Sequence, residues 1–314
     1  MRIIHLHHPY QLSQIDKEPV VLAMGFFDGV HIGHQAVLQR AAKKAQQEKI
    51  KLAVLTYNQH ASIVFSKQSQ PLKYLTPTSQ KLEIFADMGV DLVYMVEFTS
   101  ALAQVPPTQF VQQYMVDLHA MAVVAGFDHT FGPADIANMS TLPQLAKDRF
   151  EVLEVQPILV QGTEAASTKI RALLDAGKVE LVTPILNRVY TTTGVVVHGD
   201  ARGREMGFPT LNIVTPVDER LPQDGVYVVE VLVNQKWYGG MAQIGYNVTF
   251  GAGRAQTLEI NLFNFTDLVY GEQVKIRWHQ YLRAEVEFSG MPDLMEQLVL
   301  DQQRSEAYLN TLSD

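Results

Sequence analysis

The 314-residue chain contains no cysteine. Disulfide bonds and thiolate chemistry are therefore excluded. An excess of positive charge is also missing: 25 Lys and Arg stand against 33 Asp and Glu, for a formal net charge of −8. Such a chain has no global field for nucleic acid or for an anionic membrane surface, so an anionic ligand needs local sites. No apolar run reaches the roughly 18 residues of a membrane span. The opening "MRIIHLHHPY" lacks an apolar core of signal-peptide length. A cytoplasmic protein is the expectation. There is no internal repeat and no low-complexity tract.

What is present has the balance of a folded globular chain, with 47% hydrophobic and 18% charged residues. The length suffices for two domains. Up to about residue 183, apolar strand-like runs alternate with helical patterns. "PVVLAMG", "KIKLAVLTY", "DLVYMVEF", "MAVVAGF" and "EVLEVQPI" read as strands. Helices are expected over about 34–48, from Thr76–Pro77 to Met88, over 107–118, near 143–149, and at "STKIRALLDAG". This alternation implies a doubly wound parallel sheet covered on both faces. After residue 183 the pattern changes. "TTTGVVVHG", "GVYVVEVLV", "WYGGMAQIG", "LEINLFNF" and "QVKIRWHQYL" are strands separated by turn signals. Five or six of them suggest a small antiparallel β-barrel. The tail 292–312 reads as an amphipathic helix. Two domains are expected, 1–183 and 184–314.

"GFFDGVHIGH" sits where the first of these strands gives way to a helix. Ligands of doubly wound sheets bind beyond the carboxyl ends of the strands, and a helix N-terminus favours phosphate. Glycines allow close approach of the backbone. His31 and His34 could then donate hydrogen bonds to phosphate oxygens. In isolation the string also fits a glycine turn with surface histidines, while a metal pair with Asp28 lacks further ligands at a zinc spacing. "ASTKIR" adds a second helix start, where Ser167 and Thr168 offer hydroxyls and Lys169 and Arg171 offer cationic donors. The two strings together look like a nucleotidyltransferase, whose catalysis is charge stabilisation and positioning.

The second half carries "GDARGREMGFPTLN". Its glycines and Arg202 and Arg204 make a cationic flap, and no Walker lysine follows. Thr210 and Asn212 share one face of a strand start, where hydroxyl and amide oxygens could bind Mg²⁺ and nucleotide phosphate. Glu259 is a carboxylate in the apolar strand "TLEINLFNF". A solvent-facing strand residue is the ordinary reading; a general base for a kinase acting on an alcohol is the functional one.

These strings, with "GFD", "HGDARGREMGFPTLN", "LPQDGVY", "LVYG" and "YLRAE", occur in the order found in the bifunctional riboflavin kinase/FAD synthetases of bacteria, which the chain resembles over nearly its whole length. The resemblance implies an N-terminal half with a nucleotidyltransferase-like fold that adenylates FMN to FAD, releasing pyrophosphate. It implies a C-terminal barrel that phosphorylates riboflavin to FMN. ATP serves both reactions, with Mg²⁺ or another divalent ion, and the partners are these small molecules, not nucleic acid or membrane. His31 and His34 would be catalytic, with Gly25, Phe27, Asp28, Gly29, Gly33, Ser167, Thr168 and Arg171 around the ATP phosphates. His60 and Asp128 would lie toward the flavin. In the barrel, Gly199, Arg204, Gly207, Phe208 and Pro209 would surround ATP, Thr210 and Asn212 would hold the metal, and Glu259 would be the base. The family's Phe-x-Pro-His-Pro stretch is here "YNQHAS", and its basic stretch after "GFDHTFG" is here "PADIANM". Leu211 and Asn261 replace the usual alanine and histidine. A kinase with a weak or altered adenylylating half, and a flavin-binding regulator without turnover, are the alternatives.

Overall fold

Every side chain of Val20–Met24 is buried. A strand that is apolar on both faces belongs inside a parallel sheet, and the computed structural model places it there. The structure describes residues 1–67, 71–199, 203, 207–246 and 256–312. Strands β1 (Arg2–Leu6), β2 (Val20–Met24), β3 (Lys51–Tyr57), β4 (Leu92–Val96), β5 (Ala120–Gly126) and β6 (Glu151–Val155) form one sheet in the order β1-β4-β3-β2-β5-β6. All neighbours run parallel. Leu22, Leu55, Tyr94 and Phe110 belong to the core on one face, and Val21, Ala23, Leu38 and Phe85 to that on the other. From β2 the chain builds β3 and β4 to one side and later β5 and β6 to the other. The carboxyl ends of β2 and β5 therefore flank the topological switch point, where such sheets bind ligands.

Several local expectations shift. Strand β1 was not anticipated, because only Ile4 and Leu6 of its five residues are buried. Thr76 does not cap the helix Thr78–Asp87; Pro77 holds that position. Thr76 instead gives its backbone N–H to Asp28 Oδ1 at 3.1 Å, so a tertiary anchor displaces the local cap. The helix expected over 107–118 is α-helical only at Pro107–Val111 and continues as a π-turn over Gln112–Val116.

After a short ribbon of β7 (Leu159–Val160) and β8 (Thr163–Glu164), six antiparallel strands close a barrel. They are β9 (Tyr190–Val197), β10 (Thr210–Val214), β11 (Gly225–Val233), β12 (Lys236–Gly245), β13 (Thr257–Leu262) and β14 (Gln273–Arg283), in the order β10-β13-β12-β11-β14-β9. Tyr227, Val229, Val231, Ile260 and Trp278 are fully buried. The closing helix, Met291–Asn310, packs against β12. It buries Asp301, which Arg283 pairs at 2.8 Å.

The chain separates into two compact units, Met1–Ser167 and Thr168–Asp314. The second begins ahead of Pro184 because the segment after Ser167 packs with the barrel. Gln223 N donates to the Leu174 carbonyl at 2.9 Å, Arg220 pairs with Asp175, and the Tyr281 ring lies against Gly177.

Two candidate active sites

In the first unit the turn between β2 and the helix Ile32–Glu48 is sharply bent. Phe27 (φ 57°), Gly29 (φ 86°) and Val30 (φ 39°) all have left-handed backbone. For Phe27 and Val30 that conformation is costly and persists only where the surroundings enforce it. Five hydrogen bonds do so. Asp28 is 5% exposed, and its Oδ1 accepts from Leu75 N at 2.9 Å as well as from Thr76 N. Ser167 Oγ donates to the Asp28 carbonyl at 2.7 Å. Thr56 Oγ1 and Lys81 Nζ both donate to the Phe26 carbonyl, at 3.0 and 3.1 Å. The side chain of Phe27 is buried, edge-on to Phe85 and to His34, so it packs against the histidine.

His31 caps the helix, its Nδ1 accepting from His34 N at 3.4 Å. A neutral His31 then carries its proton on Nε2. The His31 and His34 rings stack with centroids 3.7 Å apart. Gly33 leaves room for that arrangement: a Cβ there would press on the His31 ring at 3.2 Å. Burial, then His31, then Lys81 hold the His34 imidazole neutral, well below its ordinary pKa. Its Nδ1 is buried without a hydrogen-bond partner among the described residues. A neutral His34 ring at a helix N-terminus acts as a hydrogen-bonding group toward phosphate oxygens, not as a fixed cation.

Three of the other expected residues, Gly25, His60 and Asp128, follow strands of this sheet. Gly25 follows β2, its N–H bonded to the Leu55 carbonyl. His60 follows β3, lies edge-on to Phe26 at 5.2 Å and hydrogen-bonds Ser62 Oγ at 2.8 Å. Asp128 follows β5 and is exposed. Thr168 and Arg171 continue the helix Ser167–Asp175 and fall in the second unit. Lys81 was missed by sequence reasoning. The available signal was its place four residues before the buried Phe85, on the inward face of an amphipathic helix.

In the barrel, Thr210 and Asn212 stand on β10 opposite Asn261 and Glu259 of β13. Thr210 Oγ1 donates to Glu259 Oε2 at 3.3 Å. Gln243 of β12 flanks Glu259 on the other side. Asn261 Nδ2 donates to the Pro209 carbonyl at 2.8 Å, fixing the exit of the glycine-rich loop. Phe208 N donates to the Gly203 carbonyl at 2.8 Å, and Gly207 has φ 78°. A Cβ built at Gly199 would overlap the Asn212 amide, so only glycine admits that approach. Arg202 and Arg204 lie outside the described residues. The Thr210 hydroxyl, having given its proton to Glu259, keeps lone pairs for a metal, and the Asn212 amide offers another oxygen. Among the described residues no group of three or more His, Cys, Asp or Glu could hold a metal. Few protein oxygens fit Mg²⁺ that arrives with nucleotide phosphates, not an all-protein cage.

Comparison with known proteins agrees with both halves. Residues 13–169 match the family model for FAD synthetase and residues 186–309 that for riboflavin kinase. A bifunctional riboflavin kinase/FMN adenylyltransferase from Listeria monocytogenes is 41% identical over 100% of both chains. The protein of that description from Bacillus subtilis is 36% identical over 99% of both. A crystal structure described as a macrolide-efflux protein from Streptococcus pneumoniae superimposes with a TM-score of 0.88 at 31% identity, covering 96% of this chain and 99% of that one. Among the described residues, no helix is long and apolar enough to cross a membrane. The chain belongs to the bifunctional riboflavin kinase/FMN adenylyltransferase family.

Proposed function

We propose that the barrel makes FMN with Glu259 as general base. The hydrogen bond from Thr210 to Glu259, with Asn212 directly across the strand pair, carries this reading. Glu259 takes the proton of the riboflavin primary hydroxyl, whose oxygen attacks the γ-phosphorus of ATP, and ADP leaves. Thr210 Oγ1 and the Asn212 amide oxygen would hold Mg²⁺, which neutralises phosphate charge when bound. Gly199, Gly203, Gly207, Phe208 and Pro209 shape the backbone around the nucleotide.

In the first unit, an FMN phosphate oxygen attacks the α-phosphorus of ATP and pyrophosphate leaves. The nucleophile is already anionic, so the protein supplies donors and geometry. His31 and His34 supply ring N–H groups, and the N-terminus of the helix Ile32–Glu48 favours the phosphate charge. His60 and Asp128, at the ends of β3 and β5, stand on the flavin side. Cytoplasmic location is part of this reading.

The test is direct. The purified chain is incubated with riboflavin, ATP and Mg²⁺, and the flavins are separated by chromatography with fluorescence detection. FMN followed by FAD is the expected result. FMN alone would remove the adenylyltransferase assignment, and neither product would remove both.

A further inference from the structure

Lys81 is 3% exposed, and no carboxylate lies within ion-pair distance of it among the described residues. A lysine buried without an ion partner is uncommon and points to a task. Its ammonium donates to the Phe26 carbonyl at 3.1 Å, to Thr56 Oγ1 at 3.3 Å and to the Tyr57 carbonyl at 3.4 Å. An ammonium has three donors, and these three acceptors use all of them. Thr56 Oγ1 in turn donates to the Phe26 carbonyl, which closes the network. The contacts join the carboxyl ends of β2 and β3. They also grip the turn at the residue before the left-handed Phe27.

We propose that Lys81 is a positioning residue of the adenylyltransferase half: it fixes the turn that aims His31 and His34, and does not itself bind phosphate. This rests on the adenylyl-transfer reading given above. Saturated donors argue against a direct grip on a ligand, since a phosphate contact would require giving one up. Burial pulls the ammonium down to about 8, against the opposing pull of Asp28. The groups facing His34 are Phe27 from the turn, His31 from the helix cap, and Lys81 from the helix Thr78–Asp87.

The experiment uses the full chain with Lys81→Met and Lys81→Gln, the second keeping two donors. FAD synthesis from FMN and ATP is measured alongside FMN formation and thermal melting. Misplacing reactive groups by about 1 Å costs on the order of 10²-fold, so kcat for FAD should fall by that order in Lys81→Met. KM for ATP should change little, Lys81→Gln should lose less, and FMN formation should persist. In a His34→Ala background, Lys81→Met should cause no further loss, because it acts through that ring. A rise in KM alone, or fully additive losses, would overturn the proposal. An independent readout is the long-range ¹H–¹⁵N spectrum of the histidine rings. In Lys81→Met the His34 ring should shift and titrate higher, since a nearby cation is gone. An unchanged His34 signal overturns the proposal even if the unchanged protein makes no FAD, an outcome that would separately defeat the adenylyl-transfer reading.

Discussion

Thr210 Oγ1 donates to Glu259 Oε2 across the β10–β13 pair at 3.3 Å. The carboxylate is thereby oriented by a neighbouring strand, on a rigid barrel wall and not on a loop. Glu259→Gln keeps an acceptor for Thr210 but cannot take a proton. FMN formation should drop by roughly 10²–10⁴ without a change in melting temperature. A rate within a few-fold of the unchanged protein would show that the base lies elsewhere.

Gly199 is fixed by Asn212. A methyl group there overlaps the Asn212 amide, which must then rotate from its place opposite Glu259. Gly199→Ala should lower kcat for FMN formation by about 10²-fold through misplacement and leave FAD synthesis from supplied FMN intact. The check is the pair of rates in one preparation. Equal losses in both would mean that the substitution damages the whole chain.

The barrel should function alone when cut at the right place. A fragment 168–314 keeps Ile170, Leu174 and Val179, all fully buried, and the Leu174 carbonyl that receives Gln223 N. A fragment 184–314 discards them, and losing Leu174 alone costs roughly 2–5 kcal/mol. The longer fragment should be folded and make FMN; the shorter should melt lower. If the shorter fragment melts as high as the longer, the segment 168–183 adds nothing to the barrel.

Much of this was legible in the sequence. Runs such as Val20–Met24 and Lys51–Tyr57 declare buried strands, and His31, Thr210 and Glu259 stand in the strings that carry the family resemblance. What escaped depends on partners far along the chain. β1 has too few buried residues to announce itself. Thr76 reads as a cap until Asp28, 48 residues earlier, takes its N–H. Lys81 sits on the inward face of its helix, but its partners, the Phe26 and Tyr57 carbonyls, are brought to it only by the sheet. Local pattern sets elements; long-range hydrogen bonds assign the polar residues among them.

His129 makes stability depend on pH. Burial lowers its pKa from 6.5 to about 4, against the pull of Asp128, and its Nε2 has no hydrogen-bond partner among the described residues. Between those values the unfolded chain holds a proton that the folded chain refuses. The unfolded state therefore binds more protons, and stability falls as pH falls through that window, by up to about 1.4 kcal/mol per pH unit. His34, also held neutral, acts in the same direction. Melting temperature measured from pH 7 to 4.5 should decline less steeply for His129→Leu than for the unchanged chain. Parallel curves would remove His129 from the account.

The adenylyltransferase half should need a high FMN concentration. The loop after β5, from Pro133 to Met139, carries no basic residue, and Asp135 is exposed on it. If FMN binds as proposed, its dianionic phosphate, approaching the carboxyl ends of β2 and β5, finds no cation on this loop and the exposed charge of Asp135 instead. Each missing charge-assisted hydrogen bond costs about 1.5–3 kcal/mol, or roughly ten- to a hundredfold in affinity. FAD yield against FMN concentration should therefore saturate late, and Asp135→Lys should shift the curve to lower FMN. His34→Ala should cut FAD formation to a small residual rate at every concentration while FMN formation from riboflavin continues. Saturation at low micromolar FMN in the unchanged protein would show that the phosphate is held by other groups. Unaltered FAD yield in His34→Ala would show that the stacked histidines do not serve the transfer.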